Sequence, residues 1–166
     1  MSFELLVLGS AAMTATRTRN QNGYLLRWRR ELILFDPGEG MQRQLLAAGA
    51  SAASITRVCI THFHGDHCLG LPGILQRRSV DVPTSALDVY FPASGRDRLA
   101  SLIGGTEWDP SVIELRLHPA EDGACFPVGD DTTLVARALD HTVDAVGWRV
   151  EQQRQRHFVT QRLEAL

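Results

Sequence analysis

Six consecutive residues, His62-Phe63-His64-Gly65-Asp66-His67, constrain this chain more than any other segment. They place three imidazoles and one carboxylate directly after an apolar run, Val58-Cys59-Ile60-Thr61. Imidazole nitrogen with carboxylate oxygen is the donor set that suits zinc and other borderline divalent metals. A strand over the apolar run would end where the donors begin. His62 and His64 would then point one way from an extended turn, and Asp66 and His67 would follow as a helix opens at Cys68-Leu69-Gly70. One short loop can thus face two metal ions, which suits two-metal hydrolysis. A chance cluster is the competing reading. With 6 His and 11 Asp in 166 residues, that spaced pattern arises by chance at roughly 5 in 10,000.

At 166 residues the chain is expected to form one domain, 1–166, with a sizeable core. Hydrophobic content of 44% and charged content of 22% fit a globular protein. The net charge of −2 gives no whole-chain basic field to attract nucleic acid. All 17 basic residues are Arg, a bias that reads as composition rather than function. Cys59, Cys68 and Cys125 are odd in number and irregularly spaced, which argues against a disulfide framework and for a reducing compartment. Cys68 is read as a small buried residue rather than a ligand. No signal segment is visible at the N-terminus, and no apolar run approaches the length of a membrane span. The expectation is a cytoplasmic protein with no membrane contact.

Along the chain, 3–8 reads as a buried strand closed by Gly9-Ser10, followed by a polar loop, 14–22. Strands at 23–28 and 31–35 form a hairpin about Arg29-Arg30, and Asp36-Pro37-Gly38-Glu39-Gly40 is a turn cluster. Helical spacing covers 41–48, with Gly49 as its stop. A strand at 57–61 delivers the histidine cluster, and a helix follows at 69–78 with Pro72 near its first turn. Further strands are expected at 87–91, 112–117, 125–128, 132–139 and 146–150, with helices at 94–103 and 156–166. Strands first, then strand–helix alternation, then a run of strands argues for a layered α/β sandwich over a doubly wound parallel sheet.

One more histidine, His141, closes the strand at 132–139 in the segment Leu139-Asp140-His141-Thr142-Val143. Alone it reads as a satisfied histidine. Beside the first cluster its odds as a ligand rise, because an ion held by His62 and His64 needs a third protein donor.

At this point the residues carry a resemblance. Phe35-Asp36-Pro37-Gly38-Glu39-Gly40, then Gln42-Arg43-Gln44-Leu45, then Ile60-Thr61 with the histidine hexapeptide and Gly70-Leu71-Pro72-Gly73, together resemble ribonuclease Z. That is the transfer-RNA 3′-processing endonuclease of the metallo-β-lactamase fold. Arg19-Asn20 resembles that family's early loop, and His141 with Gly147-Trp148 resembles its later histidine segment. The resemblance covers essentially the whole chain. It implies an αβ/βα sandwich, with mixed sheets between helices. It implies His62, His64 and His141 on one zinc ion, Asp66 and His67 on a second, and Asp66 as the residue that activates or orients the attacking water. It also implies a zinc-dependent phosphodiesterase, with two Zn²⁺ per complete site, that removes the 3′ trailer of precursor tRNA and leaves a 3′-hydroxyl. Arg19 and Asn20 would contact substrate phosphate, and the enzyme would be a homodimer.

The family's pattern continues beyond residue 166, with a bridging carboxylate, a last histidine and an arm that grips tRNA. The acidic residues after His141 are Asp144, Glu151 and Glu164, and the only further histidine is His157; none is expected to replace those ligands. The chain is therefore expected to hold the first half of the fold plus part of the second, and to expose a large apolar sheet face. Two rivals remain open: another hydrolase of the same fold acting on a thioester or small ester, and a non-catalytic metal-binding remnant or subunit.

Overall fold

The structure, a computed structural model, describes residues 3–81, 83 and 85–153. Three antiparallel strands come first: β1 (Phe3–Gly9), β2 (Gly23–Trp28) and β3 (Glu31–Phe35). Beyond β3 the pairing turns parallel, to β4 (Arg57–Cys59), β5 (Leu87–Pro92) and β6 (Leu115–Ala120), so one mixed sheet runs β1 to β6 in chain order. Parallel neighbours need long crossovers. These are α1 (Met41–Ala47) before β4, α2 (Gly65–Cys68) and α3 (Leu71–Asp81) before β5, and α4 (Arg96–Gly104) before β6. A second, antiparallel sheet follows: β7 (Cys125–Pro127), β8 (Thr132–Leu139) and β9 (Ala145–Gln152).

The burial of β3 explains the layering. Leu32 and Leu34 face the helices, where they join Val58, Val89, Leu71 and Ile74 in the main core. Ile33 faces the other way, into a second core with Cys59, Tyr90, Val128 and Leu134. A strand buried on both faces reads as a continuous apolar run, as Leu-Ile-Leu does here. Each such side chain contributes roughly 1.5–3 kcal/mol. Two further ties join the sheets, one from the middle of β9 and one from the turn after β2. Trp148 Nε1 donates to Ile60 O at 3.0 Å. Arg29 meets Asp131 in a two-pronged ion pair, which holds that carboxylate below its usual range.

The expected exposed sheet face is smaller than the sequence implied. The second sheet covers the middle strands, and the open stripe is Phe3, Leu5 and Val7 on edge strand β1, each more than half exposed. Three element boundaries also moved. The helix expected over 69–78 begins only at Leu71, as α3, with the short α2 separate before it, because Gly70 packs its backbone against the turn after β3: its N–H donates to Pro37 O at 2.8 Å. A Cβ at Gly70 would lie 2.2 Å from Gly38 O, so only glycine fits there. The strand expected over 112–117 is displaced to β6, since Asp109 caps a 3-10 turn at Pro110–Val112 through Ser111 N at 2.9 Å. As β6 is an edge strand, it tolerates Pro119. The helix expected over 94–103 opens with a 3-10 turn, Ala93–Gly95, before α4. The helix expected over 156–166, with His157 and Glu164, lies outside the described residues. Among the described residues no helix is long and apolar enough to cross a membrane.

Candidate metal centre

The centre assembles where β3 and β4 end. Asp36 leaves β3 with φ 48, a left-handed conformation that Asp tolerates better than most side-chain-bearing residues. In this pose its carboxylate folds over the end of β4. Thr61 N donates to Oδ1 at 2.7 Å, Thr61 Oγ1 donates to Oδ2 at 2.9 Å, and His67 Nδ1 lies 3.0 Å from Oδ2. The Thr61 hydroxyl has one proton, committed to Asp36. It therefore accepts from His62 Nδ1, 2.9 Å away. Both imidazoles are thereby locked with Nδ1 protonated and the Nε2 lone pair turned inward, the arrangement typical of metal-ligating histidines.

His62 stands at the middle of the cluster. Its ring centroid lies 4.7 Å from that of His64, 4.6 Å from His141 and 4.1 Å from His67. His62 Nε2 and His64 Nδ1 approach to 3.1 Å. Tetrahedral bonds of about 2.0–2.1 Å would separate two ligand nitrogens by about 3.3 Å, so the spacing fits a shared ion. Ligand atoms of His62, His64 and His141 all lie within 4.8 Å of one another. The hairpin between β8 and β9 brings His141 here, and it is docked by Val146 N donating to Thr61 O at 2.9 Å. Asp66 and His67 adjoin this group on α2. Asp66 Oδ2 lies 3.3 Å from His67 Nε2. Five expected ligand residues thus meet at one end of the sheets.

Burial first, then the His67 charge, pushes His62 down to about 4; Asp36 opposes this, and His141 and His64 add to it. His67 is different. Burial pulls it down, but the Asp36 hydrogen bond and the charges of Asp36 and Asp66 outweigh that and leave it raised. A histidine depressed on folding contributes stability that is present above its ordinary value of 6.5 and is lost as pH falls toward about 4. His67 runs the other way: its contribution is full in acid and fades as pH rises through its folded value. Denaturant midpoints of the chelator-treated chain, taken from neutrality to about pH 4, check this. His62→Asn is expected to flatten the acid loss and His67→Asn to steepen it.

Arg19 and Asn20 are placed differently from the candidate ligands. Asn20 is half-buried, and its Nδ2 donates to Glu39 O at 2.8 Å, tying the early loop to the turn after β3. Arg19 is exposed, with its backbone N–H held by Thr16 Oγ1 at 2.9 Å. Cys68 is buried; its Sγ donates to His64 O, and burial with the Asp36 and Asp66 charges pushes its thiol to about 11, so it is a packing residue. Three polar residues at the centre had no ligand signature in the sequence: Asp36, Thr61 and Asn22. Asp36 sits in the Asp-Pro-Gly turn, the one cue that could have marked it. Asn22 Nδ2 lies 3.0 Å from His67 Nε2 and 3.4 Å from Asp66 Oδ2.

A mixed sheet and an antiparallel sheet packed face to face, with histidines gathered at their ends, define a class. The chain belongs to the metallo-β-lactamase superfamily, whose family model matches residues 16–154. The fold and the histidine cluster together suggest metal binding. Within the superfamily the chain is similar to ribonuclease Z. It is 48% identical to the Nocardia farcinica ribonuclease Z, covering 98% of this chain and 53% of that one. It is 47% identical to that of Salinispora arenicola, covering 98% of this chain and 52% of that one. The chain spans about half the length of these curated relatives. Among solved structures, the short form of human tRNase Z aligns with a TM-score of 0.71 at 29% identity, over 89% of this chain and 64% of that one. A diphosphatase of the PhnP family aligns with a TM-score of 0.75 at 18% identity, over 90% of this chain and 62% of that one, a likeness of fold alone.

Proposed function

We propose that this chain carries the metal-binding part of a transfer-RNA 3′-processing endoribonuclease, a hydrolase that cuts the 3′ trailer from precursor tRNA and leaves a 3′-hydroxyl. The observation that carries the reading is the convergence of His62, His64 and His141 within 4.8 Å, beside Asp66 and His67. In this reading the three histidines hold one Zn²⁺, and Asp66 and His67 contribute to a second. Bound divalent metal would supply Lewis acidity toward water and phosphate. Asp36, through Thr61 and His67, holds the ring nitrogens facing inward. Asp66, buried at the start of α2, orients the attacking water and takes its proton. Arg19, whose side chain is exposed, offers a guanidinium to substrate phosphate, while Asn20 shapes the loop that presents it. The similarity to ribonuclease Z supports the substrate class. A homodimer acting in the cytoplasm completes the reading; three unpaired cysteines accord with that compartment.

A second reading, a metal-binding protein without catalysis, is favoured by one observation. Among the described residues the cluster able to hold an ion is the three-histidine group, and two-metal hydrolysis needs a second. Elemental analysis of the purified chain, followed by cleavage assays on precursor tRNA and on a thioester, separates these. Bound zinc with tRNA cleavage at the 3′ boundary supports the first reading. Bound zinc with no cleavage of either substrate supports the second. Thioester cleavage alone would mean a different hydrolase of the same fold.

A further inference from the structure

Asn22 ends the polar loop just before β2, and its backbone is pinned there by Gly38 N donating to Asn22 O at 2.9 Å. Its carboxamide is oriented. Tyr24 OH donates to Oδ1 at 3.4 Å, which turns Nδ2 into the metal centre. There Nδ2 faces two acceptors at once, His67 Nε2 at 3.0 Å and Asp66 Oδ2 at 3.4 Å. His67 accepts at Nε2 because its Nδ1 proton is directed at Asp36. Those two acceptor atoms are the ones that Asp66 and His67 would offer to a second ion. An amide N–H is only a donor, and the single lone pair of His67 Nε2 cannot serve it and a cation together, whereas the Asp66 carboxylate has lone pairs to spare.

We propose that Asn22 is a positioning residue of the Asp66–His67 half of the centre: its carboxamide occupies the His67 Nε2 lone pair that a second divalent ion would need, and that half loads only by displacing it. The proposal rests on the two-ion reading given above. Asn22 holds neither His62, His64 nor His141, so the first ion is indifferent to it. Removing the amide spares the second ion the loss of the hydrogen bond to His67, worth about tenfold in affinity.

The test is a chelator-buffered zinc titration of the metal-stripped chain and its Asn22→Ala variant, with ¹⁵N spectra of the histidine rings in the metal-free state. Expected are an unchanged first zinc affinity, a second zinc bound about tenfold more tightly by the variant, and a His67 Nε2 resonance displaced toward that of a free unprotonated nitrogen while His62 stays put. A second zinc bound more weakly by the variant overturns the proposal and makes Asn22 a ligand through Oδ1. Equal loss at both ions overturns it in favour of a purely structural role. If neither protein takes a second zinc, the proposal also fails. A displaced His67 resonance then traces the failure to the two-ion reading, and an unmoved one traces it to Asn22 itself.

Discussion

Replacing His62 by alanine is expected to remove high-affinity metal binding from this chain. Its Nε2 lies 3.1 Å from His64 Nδ1, and its ring adjoins those of His64, His67 and His141. Among the described residues, His62 is the histidine whose ring lies against all three other candidate histidines. A four-ligand zinc site is worth roughly 10–16 kcal/mol, so one ligand's share corresponds to about two orders of magnitude in affinity or more. Asp36→Asn is the informative contrast. It keeps the shape of the carboxylate but weakens its hold on Thr61 and His67. Loss of an outer partner of this kind costs about 10–100-fold. Chelator-buffered zinc titrations should therefore rank the wild type tightest, Asp36→Asn next and His62→Ala weakest. Wild-type affinity in His62→Ala would mean that the cluster is not the metal centre. Any cleavage of precursor tRNA by the chain should disappear with the same substitution.

Arg78→Leu is expected to be the most destabilising substitution away from the centre. Arg78 lies on α3 and is completely buried. Its Nη1 lies within 2.9 Å of the carbonyl oxygens of Ala52, Ala53 and Ile55, and its Nη2 donates to Ser85 O at 2.8 Å. The guanidinium thus closes the 3-10 turn Ala52–Ser54 onto the end of α3. Burial pulls its proton affinity down, yet arginine stays charged. Leucine would fill part of the volume but strand several buried carbonyls, at about 3 kcal/mol in all. Thermal melting should fall by roughly 6–12 °C. Arg78→Lys keeps the charge but has a single point of donation, so it should fall between the two. A melting temperature within about a degree of wild type for Arg78→Leu would show that water replaces the guanidinium at no cost.

Arg78 illustrates where sequence reading stops. At the end of a helical segment it looks like a solvated basic residue favouring the helix C-terminus. Nothing local announces that the 52–54 turn will present its carbonyls to it from a separate crossover. Asp36 is the same case. As a turn residue it is unremarked, and its role depends on β3 and β4 lying side by side in parallel, so that its carboxylate reaches Thr61 and His67. Asn20 adds a third case. With Arg19 it resembles the family's early loop and is a candidate for substrate contact, and the fold adds what that resemblance did not carry, a hydrogen bond from its Nδ2 to Glu39 O.

What the sequence by itself determined is local and periodic. The apolar runs and turn residues specified nearly every strand, and the hexapeptide at 62–67 concentrated donors whose chemistry suits a divalent metal, because ligand type and spacing are properties of the chain. The order of elements argued for layers rather than a doubly wound sheet. Only the tertiary structure decided which layers cover which. The β7–β9 sheet buries Ile33, Cys59 and Tyr90 and leaves Phe3, Leu5 and Val7 open, since coverage depends on where a distant hairpin docks. It also decided the inner workings of the centre. His141 arrives from 74 residues beyond His67 in the chain, and Asp36, Thr61 and Asn22 orient the donors through hydrogen bonds 2.7–3.4 Å long. Such bonds join residues remote in sequence, and a pattern along one chain does not encode them.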